Sequence, residues 1–428
     1  MLISLEIQEK IRLEMLSNLD IEKVDHLITD RKKLISALVD IFDEYFNNNQ
    51  YHLSTQAQYF MIDMIADEIM GFGPLTQLME DDSVSDILVN GPENIFIERK
   101  GILEKANCRF INNQQLTDIA KRLMQKVNRR IDESRPLGDA RLLDGSRLNV
   151  VINPITLDGT ALSIRKFSKN NRRLKDLLDM NALSSEMANF LIIASRCRAN
   201  IIISGGTGSG KTTLLNALSK YISDNERIIT LEDAAELNLE QSHVVRMETR
   251  LAGLENTGQV NMCDLVINAL RMRPDRIIIG ECRGEETFEM LQAMNTGHDG
   301  SMSTIHANTP RDAITRLESM IMMGSTKIPI NVIRRNITSA VNLIVQASRM
   351  NDGSRKITHI TEIMGMEGDN VLLQDIFSFV PAEERNYAGK LSGEFVNHGL
   401  FIRSSVRKRA TIFNMSQELN QIFDGANK

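Results

Sequence analysis

Between the apolar run NIIIS and the helix-forming TTLLNALSKYI stands GGTGSGKT, residues 205–212. No other stretch of the chain restricts the fold as strongly. The spacing G-x-x-x-x-G-K-T works only between a strand and a helix, where its glycines let backbone N–H groups close on an anion at the helix N-terminus. It predicts an α/β domain with a phosphate-binding loop. Gly205, Gly206, Thr207, Gly208, Ser209 and Gly210 are expected to form the cradle, with Thr213 just inside the helix. Lys211 is expected to reach the β- and γ-phosphates of ATP, and Thr212 to ligate Mg²⁺ directly.

The surrounding pattern fits that expectation. ANIIISGG, RIITLED, DRIIIGE, GSMSTIHA and VNLIVQASR are strand candidates with helical stretches between them, over residues 180 to about 380. Such alternation predicts a parallel sheet with helices on both faces. Upstream the pattern differs. Residues 1–60 read as a helical bundle, with Thr29 and Asp30 as N-cap candidates, and 65–167 read as an α+β domain with turns at Asp144-Gly145 and Asp158-Gly159. The charged, Asn-rich 168–178 reads as a linker, 179–428 as the ATP-binding domain, and the tail beyond about 380 is weakly patterned.

Two acidic strand ends suggest the chemistry. DRIIIGE closes on Glu281, a candidate general base for the attacking water. RIITLED closes on Glu232 and Asp233, where open α/β sheets place ligand-binding groups. These two would hold Mg²⁺ through water; a helix-capping role is the alternative. Two of the seven histidines, His298 and His306, share the segment GHDGSMSTIHAN. Its spacing suits neither a helical metal pair nor a base in competition with Glu281, which leaves His306 as a sensor of the γ-phosphate and His298 as a loop anchor or subunit contact.

Composition excludes several classes. The net charge is −6, aromatics are 5% and Trp is absent, so a dedicated nucleic-acid binder is disfavoured. Four dispersed cysteines (Cys108, Cys197, Cys263, Cys282) suggest reduced thiols rather than a zinc knuckle or a disulfide framework. No apolar run has the roughly 20 residues of a membrane helix, and the acidic start, with Glu6, Glu9 and Glu14, is unlike a signal peptide. A cytoplasmic location with peripheral attachment to a membrane assembly is the expectation.

The order GGTGSGKT, TLEDAAEL, LRMRPDRIIIGECRG and TGHDGSMSTIHAN resembles the secretion ATPases of type II secretion, type IV pili and type IV secretion. GPLTQLMEDDSVSDILVNGPENIFIERKG and RRIDESRPLGDARLLDGSRLNVVI are similar to the CpaF branch, the motor of Tad (Flp) pilus assembly. The resemblance covers about 65–380. It implies a homo-hexamer with an N-terminal domain and a RecA-like C-terminal domain. It further implies nucleotide between the two, and polytopic inner-membrane platform proteins as partners on the cytoplasmic face. Arginines at the matching positions, Arg141, Arg147 and Arg165, are then expected to contact phosphates; without the resemblance each would read as a surface ion pair. The chain departs from the family after Arg250, where LAGLENTGQVNMC puts Cys263 at a position commonly occupied by arginine. A DNA-translocating ring and a non-hydrolysing regulatory ring are the alternative functions.

Overall fold

The Asp30 carboxylate accepts the N–H groups of Lys32 and Lys33, so this residue starts a helix as expected, whereas Thr29 lies outside the described residues. The computed structural model describes residues 4–18, 30–48, 53–99, 101–167, 172–250, 257–324, 328–382 and 392–423. The chain divides into two units, 1–168 and 169–428.

In the first unit, helices α1 (Leu5–Asn18), α2 (Arg31–Asn48) and α3 (Thr55–Met70) share a core of Ile11, Met15, Leu34, Leu38, Phe42, Met61 and Ile65. The third helix runs past residue 60 to Met70. A buried ion pair joins the first helix to the third: Arg12 Nε and Nη2 lie 2.8 and 2.7 Å from the Glu68 carboxylate oxygens. Gln115 of α4 (Asn113–Lys126) donates to the same carboxylate at 2.9 Å. The remainder of this unit is a six-stranded antiparallel sheet, order β3-β2-β1-β6-β5-β4. Its strands are β1 (Val84–Asn90), β2 (Ile95–Arg99), β3 (Ile102–Lys105), β4 (Leu137–Arg141), β5 (Arg147–Val151) and β6 (Ala161–Arg165). Leu116, Ile119 and Leu123 of α4 pack with Ile87, Val89, Leu148 and Ile164 of the sheet.

The second unit holds a nine-stranded sheet, order β15-β14-β13-β12-β7-β11-β10-β8-β9. Its first six strands in chain order are β7 (Ile201–Gly205), β8 (Ile228–Glu232), β9 (Val244–Glu248), β10 (Arg276–Ile279), β11 (Met302–Ile305) and β12 (Leu343–Arg349). These pair in parallel, and helices cover both faces. Ile201 and Ile203 enter one core layer and Ile202 the other, which is why the run is apolar without alternation.

The expected all-parallel sheet is corrected at one edge. β13 (Arg355–Glu367), β14 (Asn370–Pro381) and β15 (Gly393–Asn397) continue it as an antiparallel meander from β12. The cause is local: residues 350–354 make a tight turn, with Ser354 N–H donating to Asp352, so the chain returns beside the strand it left. The weakly patterned tail also belongs to the core. Helices over Ser405–Ile412 and Ser416–Phe423 bury Val406, Ala410, Leu419 and Phe423, and the Phe423 ring packs 6.0 and 5.8 Å from those of Phe190 and Phe377. In the expected linker, 168–171 lie outside the described residues, while Leu174–Asp179 is helical and buries Leu174 and Leu177. Cys197 and Cys282 are buried and all four cysteines are free thiols. Among the described residues no helix is long and apolar enough to cross a membrane.

Candidate active site

Strand order decides which residues meet. β11 is inserted between β7 and β10, and β8 lies beyond β10. At the C-terminal edge the sheet therefore presents, side by side, the glycine loop, His306, Glu281 and Glu232, although the chain visits them in another order. Ligands of open α/β sheets bind at this edge.

The glycine loop leaves β7 and ends in a helix starting at Lys211. A methyl group on Gly205 would lie 2.3 Å from the Ala347 carbonyl oxygen, so β12 leaves room only for glycine there. Gly210 has φ +96°, which L residues rarely adopt. Ser209 Oγ donates to the Gly206 carbonyl at 2.9 Å and closes the loop. Lys211 is buried and donates to the carbonyls of Gly205 and Gly206, both at 3.0 Å. Its ammonium also lies 3.4 Å from His306 Nε2. Thr212 and Thr213 are half-buried on the first turn of the helix, with Gly206, Thr207 and Gly208 in the loop before it.

His306 Nε2 in turn lies 2.8 Å from Glu281 Oε1. That oxygen is buried and accepts no hydrogen bond. Oε2 of the same carboxylate is tied: Arg283 Nε and Nη2 donate to it at 2.9 and 2.6 Å. Burial, and then the Lys211 ammonium, hold the His306 imidazolium pKa below its ordinary 6.5, against the pull of Glu281. At pH 7 this favours the neutral imidazole. The unfolded chain protonates it more easily, so its contribution to stability is present above 6.5 and is lost as pH falls through the folded value. An NMR titration is expected to place His306 below 6.5 and to move it upward in Lys211→Ala; no movement would remove the lysine as a cause.

Glu232 is buried, and its Oε1 accepts the N–H groups of Glu236 and Leu237 at 2.7 and 2.8 Å. Its Oε2 is buried without a partner, and burial raises its pKa. Asp233 accepts from Thr249 and faces Arg283 Nη1 at 3.5 Å. His298 sits at the opposite end of β11, where its ring and N–H contact the Ala293 carbonyl.

In the first unit, strand register brings the three arginines together. Arg141 pairs with Arg147, and Arg147 with Arg165, so the three side chains form a row on one face across β4, β5 and β6.

Three contributors were not legible in the sequence. Gln346 of β12 donates to the carbonyls of Ala307 and Asn308, both at 3.1 Å, and pins the segment after His306. Arg355 of β13 donates to the Gly208 carbonyl at 2.8 Å. Arg283, for which the sequence offers either a trans or sensor role or a local pair with Glu285 or Glu286, has its guanidinium on Glu281. Only its backbone N–H reaches Glu286. A charged residue within two positions of Glu281 was the only signal available.

The family described as Type II/IV secretion system protein matches residues 68–371. The type IV secretion system protein VirB11 of Bartonella quintana is 30% identical, over 73% of this chain and 96% of the relative. The conjugal transfer protein TrbB of Rhizobium radiobacter is 33% identical, over 68% and 86%. Among solved structures, the VirB11 ATPase of the Brucella suis type IV secretion system is 26% identical with a TM-score of 0.37, over 67% of this chain and 94% of that one. A glycine loop, a buried lysine and a strand-end glutamate at one sheet edge, within a family match over most of the chain, show that this protein belongs to the type II/IV secretion ATPase family.

Proposed function

We propose that the chain is the hexameric, ATP-hydrolysing motor of a Tad/Flp-type pilus or a related secretion system. In this reading it works at the cytoplasmic face of the inner membrane, against polytopic platform proteins. The observation that carries the proposal is the cluster of Lys211, His306 and Glu281 at the C-terminal edge of the parallel sheet. Lys211 exchanges its loop carbonyls for the β- and γ-phosphates of ATP. Glu281 Oε1 takes the proton of a water whose oxygen attacks the γ-phosphorus, and the bond to the ADP oxygen breaks.

Mg²⁺ suits the donors present. Thr212 supplies a hydroxyl, and the buried, partnerless Oε2 of Glu232 is an acceptor for a water of the ion. Asp233 is the second candidate acceptor. Bound there, the ion neutralises phosphate charge. His306, favoured as the neutral imidazole before ATP enters, senses the γ-phosphate by hydrogen bonding once Lys211 has turned to the nucleotide. The arginine row of Arg141, Arg147 and Arg165 adds planar donors to the phosphates of bound nucleotide.

The test is phosphate release by the purified chain. Arg147→Ala is expected to slow hydrolysis by about a hundredfold, the lower end of what one charge-stabilising donor contributes, without loss of folding. An unchanged rate would remove the arginine row from the site. TrbB is named for conjugal transfer, so duplex DNA belongs in the same assay. Stimulation by DNA that falls steeply with salt would favour a translocase over a pilus motor.

A further inference from the structure

The structure assigns Arg283 as the positioning residue that aims the Glu281 carboxylate, braced from behind by Asp233. This rests on Glu281 being the base that activates water. Arg283 places two guanidinium nitrogens on one oxygen, Oε2, at 2.9 and 2.6 Å. Occupying one oxygen twice leaves the other, Oε1, without a hydrogen-bond donor, and that oxygen is the one beside His306 Nε2. The third guanidinium nitrogen, Nη1, lies 3.5 Å from Asp233 Oδ2, so the plane of the fork is set from both ends. Lysine could supply the charge but not the plane.

The backbone beneath this fork is fixed independently of it. Thr304 Oγ1 donates to the Gly280 carbonyl at 2.7 Å, and Cys282 N–H to the Thr304 carbonyl at 2.9 Å. The N–H groups of Arg283 and Gly284 both reach Glu286 Oε1, at 2.5 and 2.9 Å. Glu286 is buried, so the turn stays in place whatever stands at position 283. Arg283 itself is more than half exposed, with 57% of its side chain accessible. The role of the guanidinium is therefore orientation. Asp233 gains a role distinct from any contact to Mg²⁺: it holds the arginine that holds the base.

The experiment is steady-state ATP hydrolysis by the full chain carrying Arg283→Ala, Arg283→Lys, Asp233→Asn or the Arg283→Ala/Asp233→Asn pair, with Glu281→Gln alongside. Arg283→Ala is expected to lower kcat by about ten- to a hundredfold at an unchanged KM for ATP, the loss that misplacing a reacting group by about 1 Å produces. Arg283→Lys should recover only part of this, and Asp233→Asn should add little once Arg283 is gone. A normal kcat, a raised kcat, or a defect confined to KM would each overturn the assignment. The second would make Arg283 a lock on the base, and the third a phosphate contact. If Glu281→Gln is inactive while Arg283→Ala is normal, the positioning role alone fails. If Glu281→Gln turns over normally, the reading of Glu281 fails and the positioning role with it.

Discussion

Glu281→Gln is expected to bind ATP and to lose turnover by roughly two to four orders of magnitude, the contribution of a positioned general base. The substitution preserves size, and an amide carbonyl can still accept the Arg283 fork now made to Oε2. The amide nitrogen then takes the position of Oε1, beside His306 and on the side of Lys211. There it offers N–H groups where the wild-type chain offers a lone pair, and a water facing it has nowhere to leave its proton. Binding is retained because the glycine loop closes through its own hydrogen bonds, and Lys211 is held by the Gly205 and Gly206 carbonyls. Nucleotide binding and phosphate release, measured on the same preparation, separate the two effects. Turnover within a factor of a few of wild type would remove Glu281 from its role.

How much of this site was legible depended on the distance over which each feature is encoded. The glycine loop is local: eight successive residues, strand before and helix after, define both its fold and its ligand. Glu281 and Glu232 were legible because an apolar strand ending in an acid is also a local pattern. Lys211 and His306 were both expected at the γ-phosphate, but the strand order that joins them was not legible: β11 enters between β7 and β10, and adjacency in a parallel sheet is not written in chain order. Gln346 illustrates the same limit, reaching the segment after His306 from a strand about forty residues downstream. The antiparallel edge escaped for another reason. KITHITEIMGME and NVLLQDIFSFVP alternate imperfectly, because bulges shift the register between Ile360 and Thr361 and between Ile363 and Gly365. In the tail, the i, i+4 pairs Val406/Ala410 and Leu419/Phe423 lie on helices of only eight residues each, too short for the period to stand out, and are held by contacts made elsewhere. Phosphate contact by Arg141, Arg147 and Arg165 was implied by family resemblance alone; the cross-strand register places the three in one row.

The strands that carry Glu281 and His306 are anchored at their far ends by one buried ion pair, and breaking it is expected to cost about 3–5 kcal/mol. Arg276 opens β10 and is fully buried. Its Nε and Nη2 contact the two Glu226 oxygens at 2.7 and 2.9 Å, while Nη1 donates to the Ser195 carbonyl at 2.8 Å and lies 3.4 Å from that of Gly300. Gly300, with φ +84°, belongs to the turn that leads into β11, and a methyl group there would meet the guanidinium at 2.6 Å. Glu226→Ala leaves this cation buried and unneutralised, which is the expensive way to break such a pair. Glu226→Gln keeps an acceptor and is expected to cost less. Arg276→Met combined with Glu226→Leu should recover part of the loss, but not all of it, because the Ser195 and Gly300 carbonyls would then lack a donor and Arg198, 3.1 Å from Glu226, would lose its partner. Denaturant unfolding followed on the second unit measures the series. A Glu226→Ala midpoint equal to wild type would mean that the pair does not secure these strands. The four residues of β10 span roughly 13 Å between this anchor and the catalytic edge, so the substitutions act on the frame without touching the phosphate site.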